Sequence, residues 1–149
     1  MASFRERPYV QFNFLVDLGN GTDGADAGFQ EVAGLGMEVT VSEYRNGNEK
    51  ENSVRKITGM NKSADVTLKR GVIGSLTLYN WLHQVRNGDE DALRTVTIML
   101  QNENHTDTVV TWTLKRARPI KFTTPTLNAK GTDVAMEELV LAYERLEME

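Results

Sequence analysis

The chain has 149 residues, 40% of them hydrophobic and 26% charged, and a formal net charge of −4. This predicts one folded domain rather than a disordered chain, and the negative charge argues against a general nucleic-acid binder. The absence of cysteine excludes disulfides, thiolate metal sites and thiol nucleophiles. No apolar run reaches the roughly 18 residues of a membrane span, and the first residues lack a signal-peptide core, so we expect folding in a reducing cytoplasm.

The first predicted strand covers residues 9–18, where apolar and polar side chains alternate as in a strand with one buried face. Gln11 and Asn13 lie on its polar side. The segment Gly19–Gly28 that follows is rich in glycine and aspartate, as calcium loops are. It lacks the ligand spacing and terminal glutamate of a helix–loop–helix calcium site, so we interpret it as an exposed hairpin loop.

Residues 29–44 are the longest strand candidate, and Gly34 and Gly36 predict a bulge or bend within it. These glycines do not begin a dinucleotide fingerprint, because the third glycine is missing and no helix follows. Residues 45–62 are polar and mixed in charge, which predicts a long loop. Such a loop is either solvated or an arm that docks on a neighbouring subunit through its few apolar residues, Val54, Ile57 and Met60.

Residues 64–88 contain a strand, a break at Gly71 and one amphipathic helix at about residues 75–87. The helix is predicted to cover a sheet with a stripe at i, i+3, i+4 and i+7, formed by Leu78, Trp81, Leu82 and Val85. Ser75 or Thr77 is suited to cap its start, and Gly88 to end it in a left-handed conformation.

A β-hairpin is predicted from two alternating segments, residues 94–101 and 108–114. Thr95 and Thr97 lie on the polar side of the first segment. The basic cluster Lys115–Arg118 that follows has no glycine loop to cradle a phosphate. We therefore interpret it as a charged strand edge or a set of salt-bridge partners.

The C-terminal residues 133–149 are ambiguous. Strong helix formers and a helical stripe favour a helix. A strand is the alternative, if one extra residue at Glu137–Glu138 forms a bulge.

The sequence contains no convincing catalytic or metal site. The two histidines, His83 and His105, have no second ligand at metal-binding spacing. Ser75 lies outside any nucleophile-elbow motif, and paired carboxylates such as Asp89 and Asp91 occur at turns, where solvated charge is usual. We therefore predict a protein without enzymatic activity, cofactor or metal.

Several segments, taken in order, resemble one family: the tail tube proteins of contractile-tail bacteriophages and the inner tube proteins of phage-tail-like contractile injection systems. The matching segments span nearly the whole chain and are Phe12–Asp17, Phe29–Gly36, Glu43–Gly47 (E-Y-R-x-G), Thr67–Val72 (T-L-K-R-G-V), Leu78–Leu82, Trp112, the Pro119 region, Leu127–Asn128 and Glu138–Ala142.

The resemblance implies a mainly β fold, a small antiparallel barrel or sandwich of two sheets with one flanking helix, over a single domain of residues 1–149. It makes the C-terminal segment a strand, with the bulge at Glu137–Glu138. It makes Lys69–Gly71 the turn that sets the helix beside the sheets. It makes residues 44–63 an inter-subunit arm, whose contact residues are Glu43, Tyr44, Arg45, Val54, Arg55, Ile57 and Met60.

The resemblance also implies hexameric rings that stack into a hollow tube, with Gln11, Asn13, Thr95 and Thr97 as candidates for the lumen. The implied partners are further copies of the chain, a contractile sheath protein, baseplate or spike proteins, a tube terminator, and cargo of effector protein or DNA. Assembly in the bacterial cytoplasm, within a phage tail or an injection particle that can be released, is implied as well. The alternatives are a tube-initiator or baseplate adaptor ring of the same machine and, in another class, a free β-barrel binding module.

Overall fold

The computed structural model describes residues 2–19 and 28–149. Its elements are β1 (Phe14–Asp17), β2 (Glu31–Ala33), β3 (Met37–Tyr44), β4 (Arg55–Ser63), β5 (Val66–Gly71), α1 (Thr77–Arg86), β6 (Arg94–Gln101), β7 (Thr108–Thr123), β8 (Met136–Ala142) and β9 (Arg145–Met148). A short 3-10 turn, Glu90–Ala92, follows α1. Most of the segment between Gly19 and Gly28 falls outside the described residues, so its calcium and hairpin interpretations do too.

Strand β7 joins the sheets, because its 16 residues pair with three other strands. Its first part pairs with β6 and β9, and its second part with β8. We call β1-β6-β7-β9 sheet A and β7-β8-β5-β2 sheet B; all pairings are antiparallel. Between the two parts Arg116 has a left-handed backbone, with φ at 54°, and the register shifts after Pro119. These irregularities let β7 bend from one sheet into the other.

The core lies between the facing sides of sheets A and B. It contains Val16, Val96, Ile98 and Leu114 from sheet A, and Val66, Leu68, Leu139 and Leu141 from sheet B. Because these side chains alternate with polar ones along each strand, each sheet has one buried and one exposed face. The predicted fold class is confirmed: the chain is mainly β, with two antiparallel sheets and one flanking helix. We call sheets A and B together with α1 the body.

Helix α1 begins and ends within two residues of its predicted bounds. The predicted cap by Ser75 or Thr77 is wrong: Leu76 holds the N-cap position and no side chain of the described residues caps the helix, although the Thr77 amide donates to the Ser75 hydroxyl (3.3 Å) before the first turn. Gly88 has φ at 76°, and its amide donates to the Val85 carbonyl (3.0 Å), as predicted for a left-handed residue after the helix. Of the predicted stripe, Leu78 and Trp81 are buried in the core, Val85 packs against it, and Leu82 is partly buried.

Trp81 fixes α1 to the sheets and to the 3-10 turn through three kinds of contact. The indole is 1% exposed and belongs to the core cluster. Its Nε1 donates to the carbonyl of Ala92 (2.6 Å) in the 3-10 turn. The Arg94 guanidinium lies over the ring at 4.7 Å from its centre, and burial lowers the pKa of Arg94. The Trp81 side chain therefore packs in the core, donates a hydrogen bond and forms a cation–π contact with Arg94.

A buried ion pair overturns two predictions about charged residues. Arg70 on β5 and Glu137 on β8 are partners in register, 1% and 7% exposed, and the Arg70 Nε donates to a carboxylate oxygen of Glu137. The predicted bulge at Glu137–Glu138 is wrong, because β8 pairs with β5 without interruption and Glu137 faces inward as an ion-pair partner. Lys69–Gly71 is not a turn either, since it forms the end of β5.

Two other predictions from local sequence are corrected by pairing. The C-terminal segment is β8 and β9, not the helix that propensity favoured, because β8 is hydrogen-bonded on both sides, to β5 and β7. The first strand is confirmed only over Phe14–Asp17. Residues 9–12 run past the end of β6 and have no strand to pair with among the described residues.

Candidate assembly surfaces

Residues 37–63 form an antiparallel hairpin separate from sheets A and B, which we call the arm. It consists of β3, β4 and a tip at residues 45–54. The predicted loop over residues 45–62 is therefore wrong in its second half, where β4 lies. All of β3, and β4 as far as Lys62, is exposed. Among residues 2–19 and 28–149, no other strand pairs with this hairpin. An isolated two-stranded hairpin is at best marginally stable in water, so the arm needs a covering partner beyond these residues.

Apolar side chains lie on both faces of the arm. By the alternation of β3 and its register with β4, one face carries Met37, Val39 and Val41, which are 59%, 49% and 52% exposed. The opposite face carries Tyr44 (50%) and Ile57 (54%), and Met60 is 83% exposed at a bulge opposite Thr40. Exposed apolar area on this scale indicates a protein-binding surface.

The predicted contact residues divide into two groups. Tyr44, Val54, Arg55, Ile57 and Met60 are exposed, as is Glu43 in the same hairpin. Arg45 is partly buried instead: its guanidinium donates to the carbonyls of Glu51 (3.0 Å) and Glu49 (2.8 Å). The Glu49 carboxylate also pairs with Arg55 at 3.0 Å. Arg45 therefore holds the tip together.

Sequence reasoning missed Met37, Val39 and Val41 as surface residues. Their alternation with Glu38, Thr40 and Ser42 is the pattern of a strand with one face in the core. The pattern reports that one face is apolar, and it does not say whether the covering surface belongs to the same chain. No local signal in β3 distinguishes the two cases.

The outer face of sheet A is mostly polar and nearly balanced in charge, with an apolar pair, Leu15 and Met99, at its β1 side. Thr97, Thr111 and Thr113 alternate with core residues and lie in adjacent register positions. Thr95 is exposed on the same strand face, so the structure brings the predicted Thr95 and Thr97 together on it. At the β9 edge, Glu147 pairs with Arg145 (3.2 Å) and Lys115 (4.0 Å). Because these opposite charges are paired, they do not create a strong electrostatic potential of one sign there.

Of the other two predicted lumen residues, Gln11 is exposed and Asn13 is not. Asn13 is 6% exposed, and its side-chain amide donates to the Asn102 carbonyl at 3.3 Å. The Gln101 amide also donates to the Asn13 carbonyl at 2.8 Å. Asn13 is therefore corrected to an internal residue that joins the first strand to the β6–β7 turn.

Among the described residues, sheet A has two open edges. Strand β1 pairs only with β6, and β9 pairs only with β7. Sheet B has an open edge at β2, which pairs only with β5. Near this edge a cavity of about 530 Å³ separates residues 9–12 from Gln30–Val32. Unpaired backbone groups along such edges are ready to pair with another chain.

An ion pair ties the N-terminal residues to the β6–β7 turn. The Arg5 guanidinium binds both carboxylate oxygens of Glu103, donates to the Pro8 carbonyl (3.0 Å) and lies over the Tyr9 ring at 3.8 Å. The amide of Ser3 donates to the Val109 carbonyl (2.8 Å). The hydrogen bond from Arg5 lowers the pKa of Glu103 to about 2.

This lowered pKa makes docking of the N-terminal residues depend on pH. A carboxyl group with a depressed pKa stabilises the docked state above its ordinary pKa of 4.5, and the contribution is lost as pH falls from there to about 2. We expect the NMR amide shifts of Ser3 and Phe4 to move toward random-coil values over this range. In Glu103→Gln these amide shifts should already lie near random-coil values at pH 6 and should not change as the pH falls. Identical titrations of the two proteins would contradict the ion-pair account.

The remaining polar candidates are engaged in surface contacts. His83 contacts Arg86 and Asn87 on α1, and His105 contacts Gln101. In the basic cluster, Arg116 pairs with Glu144 at 2.9 Å, so the salt-bridge interpretation is confirmed there. No group of acidic, histidine or cysteine side chains suited to a metal occurs in residues 2–19 and 28–149. In the same residues no helix is long and apolar enough to cross a membrane.

Comparisons with known proteins point to one family. The family model described as T4-like virus tail tube protein gp19 matches residues 10–147. The chain is 29% identical to a chain of the PVC sheath-tube complex of an extracellular contractile injection system, with a TM-score of 0.83 over 97% of this chain and 93% of that one. No match was found among curated protein sequences.

Two further solved structures come from the anti-feeding prophage (AFP). A chain of its tube terminating cap is 25% identical, with a TM-score of 0.83, over 100% of this chain and 95% of that one. A chain of its baseplate, solved with 6-fold symmetry, is 28% identical, with a TM-score of 0.81, over 97% of each chain. Similarity at this level covers the arm, the body and the C-terminal strands together.

Proposed function

The chain belongs to the T4-like virus tail tube protein gp19 family, and on this basis we propose that it forms hexameric rings that stack into the hollow inner tube of a contractile injection system or phage tail. The observation that carries the proposal is the arm, whose two faces expose apolar side chains that the described part of the chain leaves uncovered. Burying both faces against neighbouring subunits removes this apolar area from water and stabilises the hairpin.

The open edges of sheet A support ring formation. The β1 edge of one copy and the β9 edge of the next can pair in a head-to-tail contact, which generates a closed ring when the rotation per subunit closes. The strand directions are compatible, because β1 and β9 run in opposite directions at the two ends of sheet A and would pair antiparallel. Six copies agree with the 6-fold symmetry of the related AFP baseplate.

In this arrangement the outer face of sheet A lines the lumen. Thr95 and Thr97 of β6 then face the bore, with Thr111 and Thr113 of β7. Gln11 lines the cavity near the β2 edge instead, so it is not proposed for the bore. Hydroxyl groups and internally paired charges let cargo pass without a strong electrostatic attraction to the wall. The cargo class that suits this surface includes both effector protein and DNA.

The partners follow from the assemblies of the relatives. Related chains occur in a sheath-tube complex, a terminating cap and a baseplate. We infer that this chain contacts a contractile sheath protein, a tube terminator and baseplate or spike proteins, and that its role is structural rather than enzymatic. Assembly takes place in the bacterial cytoplasm, and a completed injection particle can be released.

A second candidate is a tube-initiator or adaptor ring at the baseplate. It is favoured by the similarity to the AFP baseplate chain. That chain is 28% identical with a TM-score of 0.81, close to the 29% and 0.83 of the sheath-tube chain. The two roles differ in stoichiometry, since an adaptor contributes one ring to each particle and a tube protein contributes many. Counting copies per particle by quantitative mass spectrometry distinguishes them.

Electron microscopy of the purified, concentrated protein tests polymerisation. We expect six-membered rings or hollow tubes of constant diameter, together with fast-sedimenting species in the ultracentrifuge. A protein that stays strictly monomeric at high concentration would contradict the proposed function and favour a free binding module.

A further inference from the structure

The arm joins the body through two short connections. The first is Gly34–Gly36, between β2 and β3, and the second is Ala64–Asp65, between β4 and β5. The two connections lie against each other: a Cβ added to Gly34, which has φ at 93°, would be 2.2 Å from the Asp65 carbonyl oxygen. Beyond these two connections the described residues leave the strands of the arm exposed, so the contacts at the connections are those that can set the direction of the arm.

Both connections meet at one carbonyl oxygen. The Gly36 carbonyl accepts a hydrogen bond from the Ala64 amide (3.1 Å) and a second from the Tyr143 hydroxyl (3.3 Å). A carbonyl oxygen has two lone pairs, so these two donors fill its capacity. The Ala64 bond links the two connections to each other, and the Tyr143 bond links them to the body.

Tyr143 stands at a well-supported corner of the body. It follows β8 and precedes β9, where the chain passes from sheet B to sheet A. The neighbouring Glu144 donates its amide to the Lys115 carbonyl (3.0 Å), and its carboxylate pairs with Arg116 and Arg118. The Tyr143 ring packs against the core. Burial raises the pKa of Tyr143, while a hydrogen bond with Ser63, the last residue of β4, opposes this shift.

We propose that Tyr143 is a positioning residue that holds the arm in one direction relative to the body before a second copy binds. The inference rests on the proposed function, because a fixed arm matters when the arm docks on a neighbour. A surface already held in its bound orientation loses less conformational entropy on association than one on a free hinge. The tyrosine ring packs against the core, and its hydroxyl bonds the Gly36 carbonyl at the first connection and Ser63 at the end of β4.

Distance measurements between spin labels test the direction of the arm. The chain contains no cysteine, so Asn48→Cys at the tip and Lys121→Cys on sheet B give two specific labels. The labelled protein is diluted tenfold with unlabelled protein, so that distances within one chain are measured. We expect a narrow distance distribution in this parent and a distribution about twice as wide after Tyr143→Phe. The matched control Tyr79→Phe, on α1, should keep the narrow distribution.

The same variant tests whether the fixed direction serves assembly. Tyr143→Phe keeps the ring in the core, so we expect the melting temperature of the dispersed protein to change little. The concentration needed for rings or tubes should rise about fivefold, the factor that one net hydrogen bond represents. An unchanged distance distribution would overturn the inference. If the parent protein never assembles, the proposed function fails, and the spin-label distances still decide the role of Tyr143.

Discussion

Replacing Ile57 by Glu should abolish ring and tube formation while the body remains folded. Ile57 is 54% exposed on one face of the arm and is not among the residues packed against the core, so a carboxylate there should cost little in the isolated chain. In an interface the same carboxylate becomes a buried, unpaired charge, which costs about 3–5 kcal/mol. Such a cost corresponds to a rise in the assembly concentration of about 10²- to 4 × 10³-fold, at 1.4 kcal/mol for each factor of ten.

Ile57→Val is the matched control, because it keeps an apolar side chain at the same site and should assemble almost normally. Val41→Glu places the charge on the opposite face and tests whether that face is also covered. Pelleting assays and negative-stain images measure assembly, and the melting temperature reports on the body. Normal tubes formed by both Glu variants would contradict a role of the arm at subunit contacts.

Removing the whole arm is a second test of the same surface. Met37 and Ser63 are directly paired, so residues 38–62 can be replaced by an Asn-Gly turn without moving the rest of the chain. We expect a folded monomer with a cooperative unfolding transition.

Replacing Trp81 by Ala should lower the free energy of unfolding by about 3–5 kcal/mol, the range for truncating a large buried aromatic side chain. The indole is 1% exposed, and its loss also leaves the Ala92 carbonyl without its side-chain donor. Arg94 would lose the ring under its guanidinium as well. Urea unfolding of dispersed protein measures the effect.

Trp81→Phe separates packing from hydrogen bonding. It keeps an aromatic ring in the core and removes only the Nε1 donor and part of the volume, so its cost should be about 1–3 kcal/mol. A Trp81→Ala protein with near-parental stability would show that α1 does not close the core.

Periodicity was sufficient to predict some of the elements whose buried face lies within the chain. Helix α1, β6 and the first part of β7 follow their apolar spacing, because core packing and local propensity agree there. Strand β7 continues to Thr123, nine residues beyond its predicted end. The assignment of the C-terminal strands depended on resemblance. Their helix-forming residues, such as Glu138 and Ala142, are overridden by backbone pairing on both sides, which local sequence does not encode.

Two features escaped prediction because they break the usual link between polarity and exposure. The predicted bulge at Glu137–Glu138 puts Met136 on the same face as Leu139 and Leu141. In the structure Glu137 itself is the inward residue in phase with them, because it pairs with Arg70, 67 positions away. Strand β4 has few apolar residues and no buried face, so it resembled a loop. The role of Tyr143 depends on a contact 107 positions away, with Gly36, and leaves no local signal.

The most direct test of the tube assignment is a cryo-electron microscopy reconstruction of the assembled protein. We predict six subunits per ring, both faces of the arm covered by neighbouring subunits, and the outer face of sheet A, with Thr95 and Thr97, lining the bore. A bore lined by α1, or an arm that projects into solvent in the assembled state, would contradict this account.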